Sequence, residues 1–205
     1  MRGHGSWHAR IRLRPIPTAP VLPERGSVVS SQIILIGGGV RSGKSRFALE
    51  RAEQLAEDRV FIATAEVRDD EMRQRVEGHR AERGPGWATR EVPVEIATEL
   101  RSAPSGSVVL VDCLTLWLSN LLCADEDIAS RFGELESALA ETSADCVLVT
   151  NEVGMGIVPE NALARRFRDE AGRLHQRLAR TCDEVHFAAL GCILRLRPAP
   201  LEVVR

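Results

Sequence analysis

The sequence predicts a single α/β domain built on a mostly parallel sheet that is flanked by helices. From residue 32 onward, short apolar segments alternate with segments of helical periodicity. The first apolar segment runs directly into the glycine-rich stretch GGGVRSGKS. The sequence shows no internal repeat and no second domain boundary. Such alternation is typical of a parallel sheet covered by helices, and it places ligand-binding residues at the carboxyl ends of the strands.

The first half of the chain contains two predicted strand–helix pairs. The β-branched run at 32–36 predicts a strand, and SRFALERAEQLAE predicts a helix from Lys44 to about Glu57. Residues 59–64 predict the second strand. A helix is expected near 69–82, where Met72, Val76 and His79 recur on one helical face.

The second half continues the same alternation. The run VVLVD at 108–112 and the run CVLVT at 146–150 are β-rich and predict buried strands. Asn161 is a favourable N-cap residue for a long helix at 161–180. The remaining predicted elements are a helix running to 122, a helix at 126–142 and a strand at 184–189.

The two ends of the chain are expected to lie outside this domain. Residues 1–30 are rich in Arg and Pro and lack an apolar period, which predicts a disordered extension or an overextended translation start. A transit peptide is the alternative, because acidic residues are nearly absent before Glu24. The domain is expected to span 31–197, and 198–205 is expected to be a C-terminal tail that leaves the fold.

Composition excludes several classes of function. Lys and Arg total 27 and Asp and Glu total 29, so a net charge of −2 provides no global basic field for nucleic acid or an anionic membrane. The longest apolar stretch, 108–124, is interrupted by Asp112 and is too short to predict a membrane span. The 5 cysteines are scattered and lack metal-ligand spacing, which predicts reduced core residues of a cytoplasmic protein.

The glycine-rich stretch predicts a phosphate-binding loop. Residues 38–45 match GxxxxGK[ST], with a strand before the match and a helix after it. In that context backbone amides cradle phosphates, the Lys44 ammonium reaches the β- and γ-phosphates, and the Ser45 hydroxyl ligates Mg²⁺. A glycine-rich turn that binds nothing is the alternative.

Asp112 is the candidate second ligand of that Mg²⁺. It ends the strand 108–112, and a carboxylate at the end of a neighbouring strand commonly accompanies the phosphate loop. An Asp at this position would alternatively cap the helix that follows. Both interpretations place the side chain at the same edge of the sheet.

A histidine flanked by arginines is the third candidate feature. His79 shares a helical face with Met72 and Val76, and Arg80 and Arg83 lie close by in the sequence. One interpretation is a packed histidine on an amphipathic helix. The other is a nucleophilic imidazole, kept neutral by guanidinium groups that bind a triphosphate.

Four blocks in this order resemble the bifunctional adenosylcobinamide kinase and adenosylcobinamide-phosphate guanylyltransferase family of cobalamin biosynthesis. The blocks are GGGVRSGKS, FIATAEVRDDEMRQRVEGHRAERGPGWATREVP, VVLVDCLTLWLSNLL and VLVTNEVGMGIVPENALARRFRDEAGRLHQRLA. The resemblance covers about 32–187. It implies a RecA-like sheet, a homotrimer, and adenosylcobinamide, adenosylcobinamide phosphate, GTP and ATP as substrates.

The resemblance also implies roles for individual residues. His79 is the position that becomes guanylylated; members of the family often carry two consecutive histidines, and here Gly78 occupies the first position. Lys44 and His79 are the implied catalytic residues, and Asn151 and Glu152 are plausible contacts. The implied nucleotide contacts are Gly38, Gly39, Val40, Arg41, Ser42, Gly43, Lys44, Ser45, Ala63, Thr64, Ala65, Arg80, Ala81, Glu82, Arg83, Glu91 and Asp112.

The function expected from this resemblance is phosphorylation of adenosylcobinamide, followed by GMP transfer through a guanylyl-histidine. An enzyme that catalyses only one of these two reactions, as a kinase or as a guanylyltransferase, is the first alternative. A non-catalytic nucleotide-binding module on the same frame is the second.

Overall fold

The computed structural model describes residues 31–66, 83–84 and 86–204. Within these ranges the chain forms eight strands and five helices. The strands are β1 (Ile33–Gly38), β2 (Arg59–Ala63), β3 (Trp87–Glu91), β4 (Val108–Asp112), β5 (Asp145–Asn151), β6 (Glu184–Ala189), β7 (Cys192–Arg197) and β8 (Glu202–Val203). The helices are α1 (Lys44–Leu55), α2 (Ile96–Ser102), α3 (Leu114–Cys123), α4 (Ile128–Glu141) and α5 (Ala162–Thr181).

All eight strands lie in one sheet with the order β3-β2-β4-β5-β1-β6-β7-β8. Every pairing from β3 to β6 is parallel, whereas β7 and β8 are antiparallel additions. The strand β1 lies between β5 and β6, so the residues that follow it emerge at the middle of the carboxyl edge. The predicted fold class, a mostly parallel sheet with flanking helices and a phosphate-loop motif after the first strand, is confirmed.

The central strands are apolar on both faces because helices cover both sides of the sheet. On one face, Ile33 and Leu35 of β1 belong to a core formed with α2, α3, α4 and α5. On the other face, Ile34 and Ile36 pack with α1, whose buried positions include Ala48 and Ala52. These small side chains allow the first helix to lie close to the sheet.

Most predicted elements agree with the structure, and the differences lie at the edges of the sheet. The predicted strands 108–112 and 184–189 have the observed bounds. Sequence analysis missed β3, α2, β7 and β8; β3 is a half-exposed edge strand without regular alternation of apolar residues. The prediction that residues 198–205 leave the fold is wrong for Glu202 and Val203, which pair with β7.

Further predictions concern a helix cap, two segments outside the described residues, and membrane spans. The Asn161 side chain caps α5 as expected, accepting hydrogen bonds from the amides of Leu163 at 2.8 Å and Ala164 at 3.2 Å. The predicted extension 1–30 and the predicted helix 69–82 lie outside the described residues. Within the described ranges, no helix combines the length and apolar character that crossing a bilayer demands.

The cysteines are all free, but they are not all core residues. Cys113, Cys146 and Cys182 are buried as predicted. The prediction is wrong for Cys123 and Cys192, which are exposed. Cys123 is the last residue of α3, and Cys192 opens β7 at a tight turn, so both lie at element ends that the core does not cover.

Candidate active site

The phosphate loop connects β1 to α1 in a conformation that its glycines permit. A Cβ atom on Gly38 would lie 2.4 Å from the Ala188 carbonyl oxygen of β6, so no side chain fits there. Gly43, which precedes α1, has φ = 94°, in the left-handed region that favours glycine. The Ser42 hydroxyl is buried and has no hydrogen-bond partner among the described residues. A buried hydroxyl of this kind suits a phosphate oxygen as its partner.

Lys44 opens α1 and is buried at the base of this loop. Its Nζ donates a hydrogen bond to the Gly39 carbonyl oxygen at 3.1 Å. Burial lowers the pKa of Lys44, and the nearby Asp112 carboxylate opposes that shift. The ammonium therefore lies in a site of low polarity where its attraction for an anion is strong.

Ser45 and Asp112 line one small cavity, as the sequence analysis expected. Its other lining residues are Leu49, Phe61, Arg83 and Leu110. Mg²⁺ usually takes one or two protein oxygen ligands and completes its shell with phosphates and water, so a hydroxyl and a carboxylate at one cavity fit it. Among the described residues, no group of three or more His, Cys, Asp or Glu side chains is placed to hold a metal.

Arg83 is the one residue of the predicted RAER segment that the structure describes. It is 7% exposed, and its guanidinium carbon lies 3.7 Å from the centre of the Phe61 ring. Stacking on an aromatic ring holds a guanidinium in a fixed plane. The other predicted contacts of this segment, His79, Arg80, Ala81 and Glu82, lie outside the described residues.

Three predicted residues end neighbouring strands in register. Ala63 of β2 is aligned with Glu91 of β3 on one side and with Asp112 of β4 on the other. Adjacent strands are about 4.8 Å apart, so Glu91 and Asp112 are separated by roughly 10 Å at the backbone. Glu91 is exposed at the edge of the sheet. The carboxyl edge therefore presents two acidic side chains to one side of the phosphate loop.

Thr64 is a predicted nucleotide contact, and its side chain makes hydrogen bonds within the protein. Its side chain is fully buried, and its hydroxyl donates to the Cys113 carbonyl oxygen and accepts from the Cys113 amide, both at 2.8 Å. Its own amide donates to the Asp112 carbonyl oxygen at 3.2 Å. Thr64 thus fastens the end of β2 to the end of β4, next to Asp112. Ala65, the next residue, is partly exposed.

The structure adds hydrogen-bond partners that sequence reasoning did not name. The Asn151 amide donates to the Thr115 hydroxyl at 2.9 Å, and the Cys113 sulfur lies 3.1 Å from that hydroxyl. The Thr150 hydroxyl lies 2.7 Å from Nε2 of His175. The available sequence signal for Asn151 was its position directly after the predicted strand 146–150, which placed it near the site but named no partner.

A phosphate loop between β1 and α1 and a carboxylate two strands away define a P-loop nucleotide-binding protein. A family model described as cobinamide kinase / cobinamide phosphate guanyltransferase matches residues 34–196. The chain belongs to this family, which makes it a transferase of cobalamin biosynthesis.

Individual relatives agree with the family match. The bifunctional adenosylcobalamin biosynthesis protein CobP of Pseudomonas aeruginosa is 46% identical over 171 residues, covering 82% of this chain and 98% of the relative. The bifunctional adenosylcobalamin biosynthesis protein CobU of Salmonella typhimurium is 40% identical over 185 residues, covering 80% and 99%. Among solved structures, the flagellar accessory protein FlaH from Methanocaldococcus jannaschii has a TM-score of 0.44 at 10% identity, covering 85% of this chain and 78% of that one.

Proposed function

We propose that this chain phosphorylates adenosylcobinamide with ATP or GTP and then transfers GMP from GTP to adenosylcobinamide phosphate. The products of the second reaction are adenosylcobinamide-GDP and pyrophosphate. The observation that carries the proposal is the meeting of Lys44, Ser45 and Asp112 at the edge of a sheet in a chain of this family. A phosphate loop of this geometry suits a nucleoside triphosphate.

The kinase step depends on positioning and on charge neutralisation. The Lys44 ammonium exchanges its bond to the Gly39 carbonyl for the β- and γ-phosphates of the nucleotide. Ser45 and Asp112 would hold Mg²⁺, which supplies neutralisation of phosphate charge when bound. The amides of the loop and of the first turn of α1 orient the triphosphate. The substrate hydroxyl attacks the γ-phosphorus and releases its proton to solvent, the bond to the bridging β,γ-oxygen breaks, and the nucleoside diphosphate leaves.

The guanylyl step uses His79 as a nucleophile. An imidazole nitrogen attacks the α-phosphorus of GTP, the bond to the β-phosphate oxygen breaks, and pyrophosphate leaves. A phosphate oxygen of adenosylcobinamide phosphate then attacks the same phosphorus, breaks the N–P bond and restores the imidazole. Passage through a covalent intermediate keeps the two anionic substrates from having to meet in one step. Arg83 lies in the site cavity and follows His79 by four positions in the sequence.

Two further properties belong to this proposal. We infer a homotrimer from the resemblance, and light scattering of the purified protein tests it directly. A cytoplasmic location follows from the same resemblance and agrees with five free cysteines, since reducing compartments keep thiols unpaired.

The test is the intact mass of the protein after incubation with GTP and Mg²⁺, combined with separate assays of the two reactions. We expect a gain of one GMP, acid-labile and mapped to His79. His79→Ala should lose the adduct and guanylyl transfer while keeping adenosylcobinamide phosphorylation. Lys44→Met should reduce phosphorylation by at least about 100-fold, because it removes a buried cation from the phosphate site.

Each alternative predicts a different outcome. Phosphorylation without an adduct in the wild-type protein would indicate a kinase that uses half of this chemistry. GTP binding with neither adduct nor turnover would indicate a nucleotide-binding module. Loss of both activities in a folded His79→Ala protein would contradict the division of roles between Lys44 and His79.

A further inference from the structure

We propose that residues 153–159, here called the apolar loop, bind the corrin ring of the acceptor substrate. The loop follows β5 and has the sequence VGMGIVP, which carries no charge. This inference rests on the proposed function, because it names the surface that the bulky part of that substrate contacts.

The apolar loop exposes large apolar side chains to an unusual degree. Met155 is 80% exposed, Ile157 is 97% exposed and Val158 is 62% exposed. Scattered single apolar residues are normal on a protein surface, but three within four positions form a patch. Such a patch gains free energy when an apolar ligand removes it from water.

The loop is held in shape by hydrogen bonds at both ends. At its beginning, the Gly154 amide donates to the Glu152 carboxylate at 2.5 Å, and Arg168 of α5 donates to the Gly154 carbonyl oxygen at 2.6 Å. At its end, Arg165 of α5 donates to the Pro159 carbonyl oxygen at 3.0 Å. Both ends of the loop are therefore anchored, which limits the conformations of the segment between them and lowers the entropy cost of binding.

The loop begins beside the phosphate site. The Glu152 amide donates to the Gly38 carbonyl oxygen at 3.0 Å, which fastens the loop to the first residue of the phosphate-binding motif. Met155 is three residues further along, within about 10 Å by chain reach. Val40 of the phosphate loop is 85% exposed. Exposed apolar side chains therefore lie on both segments that this hydrogen bond joins, the apolar loop and the phosphate loop.

The acceptor substrate explains this placement. Its hydroxyl, and later its phosphate, must reach the nucleotide, so its ring has to rest on surface next to the phosphate loop. A corrin ring is a large macrocycle fringed with methyl and amide groups, which suits an uncharged apolar patch with backbone polar groups nearby.

A second copy of the chain is a weaker candidate for the occupant. Burying one such side chain is worth about 1.5–3 kcal/mol at about 25 cal/mol per Å², so three of them bury about 180–360 Å² when fully covered. A stable protein interface needs about 800 Å² from each partner. The apolar loop alone is too small for an interface and large enough for a small-molecule subsite.

The experiment compares Met155→Ser/Ile157→Ser with the wild-type full-length protein. Equilibrium dialysis measures the Kd of adenosylcobinamide in the presence of a non-hydrolysable GTP analogue, and a separate titration measures the Kd of the analogue alone. We expect the double variant to weaken adenosylcobinamide binding by at least about tenfold while the Kd of the analogue changes less than about twofold.

Leu201→Ser is the matched control, because Leu201 is 67% exposed and adjoins β8. Strand β8 is four strands from β5, about 19 Å across the sheet. The control should bind both ligands like the wild type. Circular dichroism melting confirms that each variant is folded.

The outcomes separate this inference from the proposed function. An unchanged Kd for adenosylcobinamide in the folded double variant overturns the inference, whatever the enzyme catalyses. A change of oligomeric mass by light scattering also overturns it and assigns the loop to an interface between copies. Wild-type protein that binds adenosylcobinamide through this loop without turning it over would refute the proposed function and support the inference.

Discussion

Replacing Thr64 by Val tests whether the buried hydroxyl holds the acidic edge of the site in place. Valine keeps the shape of threonine but cannot bond to Cys113. The Cys113 carbonyl oxygen still accepts a hydrogen bond from the Trp117 amide at 3.1 Å, so losing the Thr64 hydroxyl costs this oxygen little free energy. The Cys113 amide loses the hydroxyl at 2.8 Å as its acceptor, and an unsatisfied buried donor costs about 1–3 kcal/mol.

Together these losses predict a decrease of about 2–3 kcal/mol in the free energy of unfolding. For a chain of this size that lowers Tm by about 4–12 °C, at 2–4 °C for each kcal/mol. Thr64→Ser is the control: it keeps the hydroxyl, removes one methyl group and should cost about 1 kcal/mol. Thermal unfolding by circular dichroism measures both variants.

The Thr64→Val variant should also lose kcat in both reactions, because Asp112 immediately precedes Cys113 and shares the bonded strand end. The reasoning is refuted if Thr64→Val melts with the wild type, or if Thr64→Ser proves the more destabilising substitution of the two.

Two further predictions concern thiols and acid stability. Only the exposed Cys123 and Cys192 should react quickly with Ellman's reagent at about pH 8. The other three cysteines are buried, and burial raises the pKa of Cys146 to about 12. More than two fast-reacting thiols would contradict this prediction. Burial alone would raise the pKa of Glu184, but hydrogen bonding to His186 and the nearby Arg51 hold it below its ordinary value. Glu184→Gln should therefore lower the free energy of unfolding by about 1–2 kcal/mol at about pH 7. Urea titrations should show this difference between variant and wild type fading as pH falls below about 4, where the carboxylate becomes protonated. A difference that persists in acid would exclude the ionic contribution.

The central fold could be predicted because its signals are local in the sequence. The strand 108–112 is a β-rich run that ends at an acidic residue, and the phosphate loop is a contiguous motif with a strand before it and a helix after it. The strand β3 could not be predicted in the same way. Its residues are half exposed, and it is a strand because β2 offers it an edge to pair with.

The site shows the same division between local and non-local information. Lys44, Ser45 and Asp112 could be placed together because the carboxyl ends of parallel strands meet at one edge. The bond from Thr64 to Cys113 joins residues 49 positions apart, and the bond from Asn151 to Thr115 joins residues 36 positions apart. Such partners depend on strand order and register, and nothing in the local sequence specifies them.

The carboxyl edge of the sheet changes in chemical character between β3 and the phosphate loop that follows β1. Strands β3 and β4 end in the carboxylates Glu91 and Asp112, and Ala63 ends β2 between them. The residues that follow β5, on the way to α5, are uncharged and apolar from 153 to 159. Because β5 lies between β4 and β1, a ring resting on the apolar loop would stand between the phosphate loop and the acidic edge.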